Sequence, residues 1–393
     1  MMNKLFSLSA LAALLLSSIT SYADVSPIPA ATNTNSANTN LVAPYVAAKA
    51  YYLEEVESHQ LLATLNPDDR VEPASLTKLM SAYLVFEALK NHKINLNQSV
   101  TVSEHAWHAP GSRMFIEPLK PVSVDELIHG MIIQSGNDAT VALAETVAGS
   151  EDAFVSRMNA TANRLGMTNT HFVNATGLPD PQHYTTARDL AKLAVALMND
   201  FPDYMPVFAT KEYRYNNISQ PNRNRLLWID QSVDGLKTGH TESAGYCLIS
   251  TAKRGQRRII SVVLGTNSDK ARTSESQKLL NWGFQTFEST LLFKKDTAVK
   301  TLSSYKGSLH EIRAGFTHDV WITHPAGDSS RFHELLTTFQ PIVAPILVGQ
   351  PVGKLEITYN GHAIEDIPLV SLDNVPLGNA FTRGWDSIRL MIK

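Results

Sequence analysis

The apolar residues change their period along this chain, and that change narrows the folds open to it. Val46 to Leu53 reads as a strand, whereas Leu76, Leu79, Met80, Tyr83, Leu84 and Ala88 recur at helical spacing, so a buried helix is expected to begin near Ser75. Ser123 with Glu126 forms a capping-box pattern ahead of Leu127, Ile128 and Met131, and Thr186 with Asp189 does the same ahead of Leu190, Leu193 and Leu197. Between them, Ser150 opens a helical pattern that Gly166 can close as a left-handed cap. Gly235 to Thr238, Tyr246 to Ala252 and Ile259 to Leu264 then return to short strand-like runs separated by Gly and polar turns. Helices in the middle with antiparallel strands around them indicate an α+β fold.

A length of 393 residues suggests two domains. After Phe293 short strand-like runs such as Asp319 to Thr323 and Lys354 to Tyr359 alternate with Gly, Pro and Asn, as expected of a small all-β domain. The chain then ends in a stretch where Leu377, Phe381, Trp385 and Ile388 recur at helical spacing, with Arg383, Arg389 and Lys393 interleaved. At the other end, Lys4, the apolar run from Leu5 to Leu16 and the small residues Ser21-Tyr22-Ala23 have the form of a secretory signal. That run is interrupted by serines and is too short to span a bilayer. The expected organisation is a signal peptide at 1–23, a flexible linker at 24–41, a catalytic domain at 42–293, a β domain at 294–374 and an amphipathic helix at 375–393.

The one cysteine, Cys247, leaves an exported chain without an intramolecular disulfide, so stability must come from the core, and Cys247 itself reads as a small buried hydrophobe. A formal net charge of −3 gives no basic footprint for nucleic acid. The histidines include no H-E-x-x-H pair, and His105 with His108 lies in a Pro/Gly-punctuated segment, so zinc chemistry is not expected; no cofactor is expected either.

Three tetrads satisfy S-x-x-K: Ser75 with Lys78, Ser250 with Lys253 and Ser303 with Lys306. The last two fall on predicted strand or loop, where side chains three apart diverge; at the start of a helix the first pair shares a face. A serine hydroxyl becomes a nucleophile when a neighbour takes its proton, and a lysine does so only when burial or a second cation lowers its pKa. Lys237-Thr238-Gly239, the only K-T-G in the chain, supplies that second cation at the end of a predicted strand. Ser135-Gly136-Asn137 lies between two helices, where its hydroxyl can relay protons and its amide can hold a carbonyl; the alternative is a helix-breaking turn with Asn137 and Asp138 as caps. A second S-x-N, at Ser36 and Asn38, sits in the linker and carries no such context.

S-x-x-K, S-x-N and K-T-G in that order are shared by class A β-lactamases and penicillin-binding proteins. The segments Pro73-Ala74-Ser75-Leu76-Thr77-Lys78, Ser135-Gly136-Asn137-Asp138-Ala139 and Asp234-Gly235-Leu236-Lys237-Thr238-Gly239-His240-Thr241 resemble the low-molecular-mass penicillin-binding proteins of the D-Ala-D-Ala carboxypeptidase type. The likeness extends over nearly the whole mature chain, through Gly177-Leu178-Pro179-Asp180, Arg223-Asn224 and Arg272 ahead of Leu279-Leu280-Asn281-Trp282-Gly283.

The resemblance implies the DD-peptidase/β-lactamase-like fold, with helices flanking an antiparallel sheet, a C-terminal β domain and a terminal amphipathic helix. It implies Ser75 as the acylated nucleophile, Lys78 as its general base, Ser135 and Lys237 as a proton relay, and Asn137 as the holder of the peptide carbonyl. Backbone N–H groups of Ser75 and His240 are expected to form an oxyanion hole. Arg272, supported by Thr238 and Arg223, is the candidate for binding the free substrate carboxylate, and Gly239 for close approach of substrate backbone. The expected partners are peptidoglycan pentapeptide stems, β-lactams as covalent inhibitors and an anionic membrane surface met by the C-terminal helix. That places the enzyme on the periplasmic face of the cytoplasmic membrane. The rivals are a β-lactamase, a DD-endopeptidase and a non-catalytic cell-wall scaffold. The loop around Gly177 to Asp180 offers no E-x-x-x-N for a deacylating base, and the intact serine and lysines argue against a scaffold.

Overall fold

The computed structural model describes residues 41–392, so the expected leader, the linker up to residue 40, the S-x-N copy at Ser36 and Asn38, and Lys393 lie outside the described residues. The chain folds around a five-stranded antiparallel sheet built from β1 (Ala50–Glu55), β2 (Gln60–Leu65), β3 (Val233–Thr241), β4 (Gly245–Arg254) and β5 (Arg257–Thr266), in the order β2-β1-β5-β4-β3. The alternation of strand side chains divides this sheet between two cores. Ile260, Val262 and Leu264 of β5 pack into a large helical core, while Ile259 and Val263 pack with Leu279 and Leu280 on the opposite face.

Helix α1 (Lys78–Lys90) runs through the larger core and is buried on nearly every side, with only Glu87 and Lys90 reaching outward. A helix apolar all round has no other stable place. Around it stand α2 (Val124–Ile132), α3 (Asn137–Ala148), α4 (Glu151–Arg164) and α5 (Ala187–Asp200). The capping box of α2 is complete: Glu126 N–H donates to Ser123 Oγ at 3.2 Å, and Ser123 N–H donates to Glu126 Oε2 at 2.8 Å. Thr186 and Ser150 cap α5 and α4 in the expected way, and Gly166 follows α4 with φ of +70°. Helix α6 (Asp269–Thr286) covers the second face of the sheet.

The expected helix at Ser75 begins differently. Residues Ala74–Thr77 form a 3₁₀ turn, and the α-helix starts at Lys78. Ala74 adopts φ of +49°, in the left-handed region that most residues with a Cβ avoid.

Strand β6 (Phe287–Phe293) leaves α6 directly and pairs with β9 (Val320–Pro325), so its hydrogen bonds tie it to the C-terminal β unit rather than to the five-stranded sheet. The rest of that unit is a six-stranded sheet of β7 (Lys300–Tyr305), β8 (Glu311–Gly315), β10 (Phe332–Thr338), β11 (Ile342–Val343), β12 (Pro351–Tyr359) and β13 (His362–Ser371), in the order β10-β12-β13-β8-β7-β11. Leu302, Ile312, Leu355, Ile357 and Leu369 fill its own core. The terminal helix α7 (Ala380–Met391) starts later than the pattern predicts, because Asn379 caps it by accepting from Thr382 N–H at 2.8 Å. Leu377 lies before that cap in a β-bridge with Gly307.

Candidate active site

Three pieces of chain meet at one end of the five-stranded sheet: the Ser75 turn, the loop between α2 and α3, and edge strand β3. Lys78, at the first α-helical position, points its ammonium back along the turn and donates to Ser75 Oγ at 3.0 Å. Its other acceptors are Asn137 Oδ1 at 2.7 Å and the Thr176 carbonyl at 2.6 Å. An ammonium has three donors, so Lys78 is fully satisfied by oxygens, and none of them is a carboxylate. Burial, followed by the nearby charge of Arg223, pulls the Lys78 pKa down to about 7 against the opposing pull of Asp138. Near neutral pH this amine therefore exists in both protonation states.

Lys237 comes from the middle of β3 and donates to Ser135 Oγ and to the Thr238 carbonyl, both at 3.0 Å. It too is buried, and burial plus the charges of Lys78, Arg223 and Arg272 hold it well below the ordinary lysine value. Ser135 sits in the left-handed region at φ of +66°. Strain of this kind persists only where the surroundings dictate it, and the bond from Lys237 holds the Ser135 side chain in place. The buried Asp138 carboxylate accepts backbone N–H groups from Met114 (2.9 Å), Phe115 (2.8 Å) and Ile116 (3.3 Å), drawing that loop against the start of α3. Asn137 is fixed similarly, since its Nδ2 donates to the Pro110 carbonyl at 2.5 Å and its N–H to the Ser112 carbonyl at 2.6 Å.

The Ser75 turn is held from behind. Val173 N–H donates to His183 Nδ1 at 3.2 Å, which leaves Nε2 to donate to Thr77 Oγ1 at 2.8 Å. Burial pushes the His183 pKa down to about 4, so the ring stays neutral in that role. Gly177, with φ of +88°, lies so close that a Cβ there would stand 1.8 Å from the Ala74 carbonyl oxygen. A Cβ on Gly239 would meet the Pro73 carbonyl at 3.0 Å, so packing of the Ser75 turn on β3 is itself a reason for glycine there, besides the expected approach of substrate. Asn174 organises the preceding turn, its Oδ1 accepting from the N–H groups of Thr176, Gly177 and Leu178.

These elements open onto a cleft of about 980 Å³. Ser75, Ser135, Thr238, Gly239, His240, Arg223 and Arg272 all line it, while Lys78, Asn137 and Lys237 lie just beneath through the bonds above. The sequence-expected site residues are thus brought to one place. Arg272 is buried and donates to the Gly239 carbonyl at 3.1 Å and to Asp269 Oδ1 at 2.5 Å. Arg223 is exposed and spends its Nε on the Gln134 carbonyl at 3.0 Å. The His240 ring packs at a tilt of 30° against Tyr246, with centroids 3.9 Å apart, because β3 and β4 place the two opposite one another. The other two S-x-x-K tetrads stand apart: Ser250 is buried within β4 while Lys253 is exposed, and Ser303 is exposed on β7.

The sequence reading did not reach the Thr176 carbonyl, the anchoring carboxylate of Asp138, the His183–Thr77 bond, Tyr246 or Asp269. Asn174 three residues before Gly177 carried a turn signal that points to the first of these. The others depend on register between distant segments.

Residues 35–268 match the family described as D-alanyl-D-alanine carboxypeptidase, and residues 287–377 match the C-terminal domain of penicillin-binding protein 5. The D-alanyl-D-alanine carboxypeptidase DacC of Escherichia coli (strain K12) is 43% identical over 356 residues, which cover 88% of this chain and 89% of that protein. Among solved structures, penicillin-binding protein 5 from Haemophilus influenzae superposes with a TM-score of 0.80 at 38% identity, covering 86% of this chain and 99% of that one. Penicillin-binding protein D2 from Listeria monocytogenes in its cefotaxime-bound form matches at a TM-score of 0.58 and 32% identity, covering 62% of this chain and 100% of that one.

Proposed function

The chain belongs to the D-alanyl-D-alanine carboxypeptidase family, and from that premise we propose that it removes the terminal D-Ala from peptidoglycan pentapeptide stems through an ester on Ser75. One observation carries the reading: Ser75 Oγ lies 3.0 Å from a buried amine whose pKa is about 7. Ser75 Oγ attacks the carbonyl carbon of the penultimate D-Ala as its proton passes to Lys78. The peptide C–N bond breaks, the departing amine takes a proton through Ser135 and Lys237, and free D-Ala leaves. Water then attacks the ester carbonyl; one of its protons passes through Lys78 to Ser75 Oγ as the ester C–O bond breaks, and the other stays on the product carboxyl.

Asn137 holds the acyl-side carbonyl, and the backbone N–H groups of Ser75 and His240 receive the oxyanion, a contribution of several kcal/mol in systems of this kind. Support for strand-like binding of the substrate comes from β3, which ends the five-stranded sheet and leaves its outer edge open to the cleft. Thr238, Arg272 and Arg223 receive the terminal carboxylate. Arg223 is well suited, since only its Nε has a partner among the described residues. β-Lactams acylate the same hydroxyl, in line with the cefotaxime-bound relative.

The placement outside the cytoplasmic membrane rests on the signal-like residues 1–23, with 24–41 as linker, 42–293 as the catalytic part and 294–374 as the β domain. Peripheral attachment through residues 375–393 is supported by α7, where Phe381, Trp385 and Ile388 are exposed on one stripe. No helix of the described residues is long and apolar enough to cross a membrane.

Mass spectrometry tests the central step. Incubation with penicillin or diacetyl-Lys-D-Ala-D-Ala should yield a covalent adduct on wild-type protein and none on Ser75→Ala. An adduct of equal yield on the variant overturns the assignment.

A further inference from the structure

Three guanidinium groups, from Arg223, Arg225 and Arg272, line the cleft, and Asp269 is the only carboxylate among the described residues lining it. Asp269 is the first residue of α6, whose start is fixed by Ser268 Oγ accepting from Ala271 N–H at 3.1 Å. A helix N-terminus favours a negative side chain, so the carboxylate is both held and stabilised there. Its Oδ1 meets Arg272 at 2.5 Å and its Oδ2 meets Arg225 Nε at 2.5 Å. Arg272 is gripped on its other side by the Gly239 carbonyl at 3.1 Å, and its guanidinium lies 5.5 Å from the Tyr246 ring centroid.

We infer that Asp269 is a positioning residue: by bridging Arg272 and Arg225 it fixes the Arg272 guanidinium against the K-T-G strand and so sets how strongly the cleft prefers a substrate ending in a free carboxylate. The inference rests on the reading of Arg272 as a carboxylate receiver. An arginine recognises a carboxylate well when its planar fork is already oriented. Without Asp269, three like charges face one another and a long side chain regains its rotamers. One carboxylate against three guanidinium groups also leaves the cleft with positive charge to spare for one more anion.

The test compares kcat/KM for diacetyl-Lys-D-Ala-D-Ala with that for its C-terminal carboxamide, in wild type, Asp269→Asn, Asp269→Glu, Arg272→Gln and the Asp269→Asn/Arg272→Gln pair. The acid-over-amide ratio should fall about tenfold in Asp269→Asn, mainly through KM, as expected for a weakened charge-assisted contact. Asp269→Glu should recover most of the ratio. Arg272→Gln should lose it, and adding Asp269→Asn to that background should change it no further. Equal losses on both substrates in Asp269→Asn mark a merely structural role and overturn the inference, as does an unchanged ratio in Asp269→Asn while Arg272→Gln loses it. A full ratio in Arg272→Gln overturns the reading of Arg272 and the inference together.

Discussion

The cleft and the C-terminal β unit treat buried charge in opposite ways. Beneath the cleft, Lys78 and Lys237 are buried with neutral oxygens as their only bonded partners, and Ala74 and Ser135 hold left-handed backbone beside them. In the β unit, strand β12 alternates between Leu355 and Ile357 inward and more exposed residues outward, and the buried Asp386 is answered by the Lys306 N–H at 2.6 Å and by Arg389 at 3.3 Å. An uncompensated buried ammonium opposes folding. Two of them within one site work against stability, whereas the β unit pairs its buried charge and fills its own core. The large core of α1 and its neighbours is what sustains the unfavourable arrangement.

The sharpest way to break this contrast is to remove one of the amines. Lys78→Met should slow acylation by fluorescent penicillin by ~10³-fold, the scale of a lost general base. In wild type, acylation should rise with pH through about 7 as Lys78 loses its proton. The stability sign is the reverse of a salt-bridged lysine. With a folded value of about 7 against an ordinary 10.5, the folded chain binds fewer protons than the unfolded chain between those values, so the unfavourable contribution of Lys78 shrinks as pH rises through that window. An acylation rate flat from pH 5 to 9 in stopped-flow measurements would remove Lys78 as the base.

The residues that meet at the cleft were legible in sequence because the arrangement has few substitutes: a hydroxyl one helical turn from an amine, and a second amine on a strand. Ser75, Lys78 and Lys237 stand out for that reason. Helix starts were equally legible, since Ser123, Ser150 and Thr186 make local bonds that depend on nothing distant. The 3₁₀ turn at Ser75 was not, because the left-handed Ala74 is dictated by the close approach of Gly177 and β3. The Thr176 carbonyl is a backbone group, marked only by the Asn174 side chain that organises its turn. Tyr246 and Asp269 enter the site through the pairing of β3 with β4 and the position of α6, which are tertiary facts. The late start of α7 was readable in principle, because Asn379 is a strong cap that the apolar spacing of Leu377 obscured.

A core truncation in the β unit sharpens the comparison from the other side. Leu355 is fully buried between Ile357, Leu369 and their neighbours. Leu355→Ala should destabilise that unit by about 2–5 kcal/mol, lowering the first thermal transition in calorimetry. The penicillin acylation rate of the folded protein should stay within about twofold, because the cleft residues belong to a separate core and the two regions touch through contacts such as Ser58 Oγ to Thr323 Oγ1 at 2.6 Å. A matching loss of acylation would show that the β unit shapes the site and that the two regions are not independent.

The smallest expected effect on catalysis, and the most specific to surface attachment, lies in α7. Its inward side is polar, with Asp386 buried against the Lys306 N–H, and Phe381 and Trp385 remain 84% and 60% exposed. Burial of those side chains in the β unit is therefore not what keeps the stripe apolar; an interfacial helix needs that division. Phe381→Glu/Trp385→Glu replaces two apolar anchors with charges that an anionic surface repels. Cosedimentation with phosphatidylglycerol vesicles should fall at least tenfold, while kcat for a soluble tripeptide stays unchanged. Undiminished cosedimentation would exclude the stripe as the attachment face.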